Sequence, residues 1–184
     1  MSILKIVKYG EPILRAETKE VYKISAKIQK LIKDMINTMY AGNGVGLAAP
    51  QVGENYKIFV IDISQSNEAN PLVFINPKIV KKSGAVNSYE GCLSFPDVYT
   101  DVRRYSDIIV KAKDKNGKDF VIESKNGELL ARAIQHEMDH LSGILFIDHA
   151  TDISDTNNKL NKKGLPSIDK SYLIQEDNLE KAVN

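Results

Sequence analysis

Residues Leu129–Leu141 read LLARAIQHEMDHL, and they decide the fold because they predict one helix that carries a cluster of reactive side chains. The segment has helical periodicity, and Gly143 follows it at the position where a glycine commonly ends a helix. Residues four apart lie on the same helical face, so His136 and His140 point together, with Glu137 beside them. Two imidazoles and a carboxylate at this spacing are typical of a metal site with a general base.

The third ligand of such a site must come from another part of the chain, because a catalytic metal takes three protein ligands and keeps one coordination position open. The extended metalloprotease motif H-E-x-x-H-x-x-G-x-x-H does not fit, since Phe146 stands at the position of its last histidine. Cys92, the single cysteine, lies in the segment EGCLS, and a thiolate binds first-row metals tightly. We therefore predict that Cys92, His136 and His140 bind a metal, and this donor set by itself favours Zn²⁺.

A second helix and several strands surround this segment. Apolar residues at helical spacing run from the candidate N-cap Ser25 to Gly42 and predict an amphipathic helix. Alternating residues on both sides of Asn116 and Gly117 predict a β-hairpin. Further strands are predicted at 57–63, 72–75 and 78–82, with breaks at Pro71 and Pro77. Because no βαβ pattern repeats, we expect an α+β fold: mostly antiparallel sheets packed around a central helix carrying HEMDH, with an N-terminal amphipathic helix.

The composition describes a globular chain with a polar end. At 184 residues, with 42% hydrophobic and 27% charged residues, the chain suits one domain, which we place at 1–149. Residues 150–184 are rich in Asn, Asp, Ser and Lys, and we predict a polar C-terminal tail there. The net charge of +1 argues against direct nucleic-acid binding. A lone cysteine, no signal-peptide core and no long uncharged stretch predict a cytoplasmic protein that does not enter membranes.

A glycine-rich loop, GVGLAAPQ at 44–51, leaves two interpretations open. It can be a plain connection between a helix and a strand, because glycine-rich loops are common and this spacing does not match a phosphate loop. It can also approach a ligand, because the glycines flanking Val45 let the backbone come close and Gln51 ends the loop with an amide donor. The residues alone do not separate these two interpretations.

Three segments in this order, GVGLAAPQ, EGCLS and HEMDH, resemble the three signature motifs of bacterial peptide deformylases. The resemblance runs from GEPILR at 10–15 to HLSGILFID at 140–148. It implies that Cys92, His136 and His140 are the metal ligands and that Glu137 is the catalytic acid and base.

The same resemblance implies roles for residues outside the metal site. Gln51 and the backbone N–H of Leu93 would stabilise the developing oxyanion, and Gly46 would face the substrate backbone. Glu90 corresponds to a family position that pairs with an arginine, for which Arg104 is the candidate. The apolar residues that would line a methionine pocket are Val45, Leu129 and Ala133, and ordinary core packing explains these residues equally well.

The reaction that the resemblance implies is removal of the formyl group from the N-terminal formylmethionine of nascent polypeptides, with release of formate. A metal-bound water would attack the formyl carbon after Glu137 takes its proton. The resemblance also changes the expected metal to one Fe²⁺ per chain, which Zn²⁺, Ni²⁺ or Co²⁺ can replace in purified protein. Nascent polypeptides imply transient proximity to the ribosome. We do not expect a regular ribosome-binding helix in 150–184, because Gly164 and Pro166 interrupt it.

Two other functions remain open at this stage. One is a metalloprotease or amidase of different specificity on a similar site, which formylated, acetylated and unmodified peptides would distinguish. The other is a metal-binding module without activity, and an intact Glu137 argues against it.

Overall fold

The computed structural model describes residues 2–64 and 69–174, and these form three α-helices, seven β-strands and several short 3₁₀ turns. The elements are α1 (Ala26–Ala41), β1 (Gly46–Ala48), β2 (Ile58–Ile61), β3 (Leu72–Ser83), β4 (Val86–Cys92), β5 (Phe95–Arg104), β6 (Asp107–Lys113), β7 (Asp119–Ser124), α2 (Leu129–Leu141) and α3 (Ile153–Lys162). One antiparallel sheet has the order β1-β2-β3-β6-β7, and β4 pairs with β5 in a separate antiparallel hairpin. The predicted α+β fold is confirmed. None of the described helices is long and apolar enough to span a bilayer.

The amphipathic helix predicted between Ser25 and Gly42 is α1. The Ser25 hydroxyl accepts a hydrogen bond from the backbone N–H of Ile28 at 3.4 Å, which satisfies one of the unpaired donors at the helix start. One face of the helix is buried against β1, β2 and β3 through Ile28, Leu31, Ile32, Met35 and Met39. This packing holds β1, which begins a few residues after the helix ends, at the edge of the large sheet.

The predicted break at Pro77 is wrong, because β3 runs without interruption from Leu72 to Ser83. The ladder between β3 and β6 shifts register between Ile75 and Lys78, so Pro77 lies in a bulge where its missing N–H breaks no regular pair. Asn76 adopts a positive φ of 50° in this bulge, and its side chain bonds both the N–H and the carbonyl of Val21 at 2.9 Å. The chain therefore continues through Pro77 as one bulged strand, where the proline had indicated a break between two strands.

Helix α2 is the central element that the sequence predicted. Its buried residues Ala131, Ala133 and Ile134 pack on the large sheet, in a core that also contains side chains of β2, β3 and β6. The helix stops before Gly143, which has a φ of 69° and leaves no room for a side chain, since a Cβ there would lie 2.4 Å from the Arg15 carbonyl oxygen.

The hairpin of β4 and β5 was not predicted from the sequence, although it carries the segment EGCLS. The strand β4 reads VNSYEGC, which lacks the run of β-branched residues that usually marks a strand. It forms because β5 alternates buried residues, Phe95, Val98, Thr100, Val102 and Arg104, with mostly exposed ones. Cys92, at the end of β4, is thereby carried to the α2 side of the hairpin.

The segment after residue 149 packs on the hairpin more closely than its polar composition suggested. Helix α3 starts from the N-cap Asp152 and buries Thr156 and Leu160, and Ile168 joins the same core. The Thr156 and Thr100 hydroxyls are 2.7 Å apart in this contact. The apolar residues of this segment are single and widely spaced, so they form no apolar stripe at helical periodicity. The packing of α3 on the hairpin could therefore not be predicted from the sequence pattern. Residues 175–184 of the predicted tail lie outside the described part.

Candidate metal centre

The three predicted metal ligands lie together between α2 and the end of β4. One donor atom each from Cys92, His136 and His140 lies within 4.8 Å of the others. The Cys92 Sγ atom is 3.3 Å from His140 Nε2, and the two imidazole rings are edge to face at 5.2 Å between centroids. The helix supplies the two histidines from one face, and the hairpin supplies the thiol from a different part of the chain.

The chemistry of these donors fits a first-row divalent cation. A soft thiolate and two imidazole nitrogens suit Fe²⁺, Zn²⁺ and their neighbours better than they suit Mg²⁺ or Ca²⁺. His136 Nδ1 is 3.0 Å from a Glu90 carboxylate oxygen, so Nε2 is the ring nitrogen that remains for a cation. Burial lowers the pKa of His136, but hydrogen bonds with Cys92 and Glu90 outweigh it and hold that pKa well above its usual range. Cys92 and Glu90 thus favour a positive charge at His136.

Glu90 is itself held by a buried arginine, the pairing that the family resemblance implied. Arg104 donates from Nε to Glu90 Oε1 at 3.0 Å and from Nη2 to Oε2 at 2.9 Å, and its side chain is 2% exposed. Ser88 also donates a hydrogen bond to Oε1 at 2.9 Å. Burial raises the pKa of Glu90, but the charge of Arg104 and the bond to His136 keep it well below its usual range. Glu90 is therefore a carboxylate that fixes the orientation of His136.

Glu137 lies beside the ligands and is 4% exposed. Its Oε2 atom has no hydrogen-bond partner among the described residues. Burial raises its pKa to about 7. A Cβ atom at Gly46 would lie 2.3 Å from Glu137 Oε1, so only a glycine lets β1 run this close to the carboxylate. This contact favours the second interpretation of the glycine-rich loop, in which its backbone approaches the site.

Gln51 is fixed so that its amide N–H₂ points at the ligand cluster. Its Oε1 accepts from the backbone N–H of Ala48 at 2.8 Å, which sets the orientation of the side-chain amide. Its Nε2 then lies 3.2 Å from Cys92 Sγ and 3.4 Å from Ser94 Oγ. Leu93 follows Cys92 in the hairpin turn, and its carbonyl accepts from Lys8 Nζ at 3.2 Å. Both predicted oxyanion donors thus belong to residues at the metal centre.

A cavity of about 620 Å³ opens beside these residues. Nine of the ten predicted site residues line it: Val45, Gly46, Gln51, Cys92, Leu93, Leu129, Ala133, His136 and Glu137. The tenth, His140, is 1% exposed and reaches Cys92 from the far side of the cluster. The structure therefore brings together every residue that the sequence and the resemblance singled out.

Several lining residues had not been singled out. Tyr89 and Tyr99 stack beside the cavity with 5.8 Å between ring centroids, and Lys8 also lines it. The two tyrosines lie on opposite strands of the hairpin, so their proximity depends on a register that the sequence did not reveal. Asp139, inside the motif HEMDH, was also missed, and it contacts both Arg104 and His149.

Comparisons with known proteins agree with this geometry. The family model described as "Polypeptide deformylase" matches residues 3–156. The peptide deformylase of Dictyoglomus turgidum is 50% identical over 152 residues, which cover 83% of this chain and 95% of that protein. A crystal structure of a peptide deformylase from Synechococcus elongatus in complex with actinonin superposes with a TM-score of 0.85 at 40% identity, covering 98% of this chain and 91% of that one. A second, from Legionella pneumophila, has a TM-score of 0.82 at 40% identity and covers 89% and 96%.

Proposed function

Since this chain belongs to the polypeptide deformylase family, whose members are metal-dependent hydrolases that remove the formyl group from N-terminal formylmethionine, we propose how its own residues perform that reaction. In the proposal, Cys92, His136 and His140 bind one Fe²⁺, and Glu137 is the general base and acid. The main support for this proposal is the buried Glu137 carboxylate, which lies beside the three donor atoms. One of its oxygens, Oε2, has no hydrogen-bond partner among the described residues.

When bound to these donors, a divalent cation would lower the pKa of a water molecule and polarise the formyl oxygen. Glu137 would take the proton of the water and later deliver it to the leaving amine. A pKa of about 7 lets Glu137 both accept and donate a proton near neutral pH, because a group is half-protonated when the pH equals its pKa. The positive charge of a cation would lower this value somewhat. The burial of Glu137 keeps bulk water from competing for the proton.

Two hydrogen-bond donors would stabilise the negative charge that develops on the formyl oxygen. These are the Gln51 side-chain amide and the backbone N–H of Leu93. The Gln51 amide is held in place by its bond from Ala48, so it needs no reorganisation during the reaction. A single oxyanion donor is worth about 3–4 kcal/mol of transition-state stabilisation in enzymes of this kind.

The cavity supplies the binding surface for the peptide. Val45, Leu129 and Ala133 offer an apolar wall for the methionine side chain, and Gly46 lets the substrate backbone approach β1. Burial of a methionine side chain contributes about 1.5–3 kcal/mol, which is enough to favour it over small residues. The proposed substrate is a formylmethionyl nascent polypeptide, which implies transient proximity to the ribosome without direct nucleic-acid binding.

The identity of the metal rests on the resemblance and not on the donor atoms. Cysteine with two histidines accepts Zn²⁺, Fe²⁺, Co²⁺ or Ni²⁺. We propose Fe²⁺ in the cell, with oxygen sensitivity through the metal and the thiolate. We also propose that residues 1–149 are the catalytic domain, that 150–184 are a C-terminal appendage, and that the protein is cytoplasmic.

The deciding experiment is anaerobic purification followed by metal analysis and a formate-release assay on the same sample. We expect about one iron per chain and turnover of formyl-Met-Ala, with no hydrolysis of acetyl-Met-Ala or unmodified Met-Ala. Hydrolysis of the acetylated peptide at a similar rate would favour an amidase of broader specificity. No formate from a metal-replete sample would refute the proposed activity.

A further inference from the structure

Five side chains form a continuous line from the metal centre to the far side of α2, and we call it the buried charge chain. It consists of His136, Glu90, Arg104, Asp139 and His149. His136 Nδ1 is 3.0 Å from Glu90 Oε2, Arg104 bonds both Glu90 oxygens, and Arg104 Nη1 donates to Asp139 Oδ2. His149 Nε2 is 3.0 Å from the same Asp139 oxygen. The chain therefore ends at a residue that touches none of the three metal donors.

Arg104 lies in the middle of this chain, and its side chain is only 2% exposed. Its guanidinium group therefore depends on protein acceptors and not on bulk water. Glu90 satisfies only one edge of its guanidinium group, through Nε and Nη2. Asp139 satisfies Nη1, so both acids are needed to hold the planar group in one orientation. Loss of Asp139 would remove the acceptor of Nη1 and leave this buried cation held only by its two bonds to Glu90.

Asp139 needs a second contact to stay in place. It lies on α2, and its carboxylate must reach across to β5, where Arg104 sits. His149 approaches it from the 3₁₀ turn Phe146–His149 and donates to Oδ2, the oxygen that Arg104 also uses. Two donors on one oxygen restrict the carboxylate rotamer more strongly than one donor does.

The backbone around His149 does not depend on this side chain. The N–H of Thr151 donates to the Asp101 carbonyl at 2.9 Å, and Ala150 bridges to Val102. The turn is thus already joined to β5 by main-chain bonds. The His149 imidazole therefore forms a local polar contact with Asp139, and it is not needed to set the path of the backbone.

We propose that Asp139 and His149 are positioning residues for the metal centre. They hold Arg104 in the orientation in which it fixes Glu90, and Glu90 in turn directs His136 Nε2 toward the metal. This inference rests on the proposed function, because it takes Cys92, His136 and His140 as the ligands. It adds two residues, one of them outside the sequence motifs, to the machinery that orients the first ligand.

The test compares His149→Leu with His149→Gln. Leucine keeps a similar volume and removes the donor, whereas glutamine places an amide N–H₂ near the position of Nε2. Each protein is loaded with Co²⁺ anaerobically, and loss of its visible thiolate–cobalt absorption is followed after addition of excess chelator. Removing a direct partner of a metal ligand typically costs 10–100-fold in metal affinity. Because His149 lies three residues further out than Glu90, the direct partner of His136, we expect about 3–10-fold faster metal loss from His149→Leu, and a rate within about twofold of wild type for His149→Gln.

A matched control separates this effect from a general loss of stability. Arg15 forms a buried ion pair with Asp148, the neighbour of His149, but has no contact with the buried charge chain. Arg15→Met should lower the melting temperature while leaving the rate of metal loss unchanged. Asp139→Asn provides a second variant in the chain, with nearly unchanged volume, and should lose cobalt faster even if His149→Leu does not fold.

The outcomes are distinct. The inference is overturned if folded His149→Leu or Asp139→Asn releases cobalt at the wild-type rate, or if Arg15→Met releases it just as fast as they do. It is also overturned if His149→Gln is as defective as His149→Leu. Failure of wild-type protein to release formate would refute the proposed function instead, while the cobalt measurement would still report on the positioning role.

Discussion

The metal centre has two sides that differ in how their buried polar atoms are paired. On one side, each link of the buried charge chain is hydrogen-bonded to the next, from His149 through Arg104 to His136. On the other, which we call the open side and which comprises Glu137, Gln51 and the cavity, Glu137 Oε2 has no partner among the described residues. Buried polar groups without partners are rare in folded proteins and need an explanation. This difference fits the proposed roles, in which the paired side fixes geometry and the open side performs the chemistry.

The two histidine ligands show the same contrast. His136 Nδ1 is bound by Glu90, whereas His140 Nδ1 has no partner within the described residues. Burial and the charge on His136 hold the pKa of His140 well below its usual range, while His136 is shifted in the opposite direction. The imidazole of His136 is therefore held by a network of charges, whereas that of His140 has its polar contact, among the described residues, through Nε2 to Cys92 Sγ at 3.3 Å. Changes on the paired side should weaken metal binding, and changes on the open side should slow turnover with the metal retained.

The largest effect is expected on the open side, for Glu137→Gln. This substitution keeps the shape of the side chain but removes its ability to accept a proton. Loss of a general base typically costs 10²–10⁴-fold, and we expect a decrease in kcat of about 10³–10⁴-fold. Formate release and metal content should be measured on one sample. A variant that keeps its metal and most of its turnover would show that Glu137 is not the base.

The next effect is expected for Gln51→Leu, also on the open side. Leucine has a similar volume but no amide, so the developing oxyanion would lose one donor. We expect kcat to fall about 10²–10³-fold with little change in KM. Because Gln51 also accepts from Ala48, thermal unfolding of the variant should be measured as a control. A decrease confined to KM would contradict the oxyanion role.

On the paired side, Glu90→Gln should mainly affect metal affinity. Glutamine cannot balance the charge of Arg104 or hold His136 as strongly. We expect metal affinity to fall about 10–100-fold, as for other residues that bond a metal-bound histidine. Competition with a chelator of known affinity measures this directly. If metal affinity were unchanged and only kcat fell, the division into a paired side and an open side would be wrong.

The last expected effect needs no substitution and is the pH dependence of kcat/KM. Glu137 must be deprotonated to accept a proton, and burial raises its pKa to about 7 in the metal-free protein. A bound cation lowers this value, so kcat/KM should fall about tenfold per pH unit on an acid limb whose midpoint lies at or below about 7. Rates of the metal-replete enzyme from pH 5 to pH 8 test the sign. A rate that rises with acidity would contradict it.

Local sequence patterns predicted one member of the open side, Glu137, together with the two histidines. The motif HEMDH fixes the relative positions of His136, Glu137 and His140, because all three lie within two turns of one helix. The roles of Gln51 and Leu93 came from the family resemblance and not from periodicity. The structure then showed how Gln51 is oriented, through its bond from Ala48.

The paired side was much harder to predict, because its members come from distant elements. The resemblance suggested Glu90 and Arg104, but nothing in the sequence indicated that Asp139 would contact Arg104 or that His149 would contact Asp139. Their proximity depends on the β4–β5 register and on the turn after α2. The packing of α3 was missed for the same reason, since Leu160 and Ile168 meet β5 only in the folded chain.

The sequence by itself determined which side chains could bind a metal, the helix that carries two of them, and the family whose reaction they support. These features depend on residues close together in the chain, where helical geometry alone sets distances. Only the tertiary structure decided that Cys92 meets the histidines, that Glu137 is buried with an unpaired oxygen, and that five side chains link His149 to His136. Those distances arise from long-range strand pairing and packing, which local spacing does not specify.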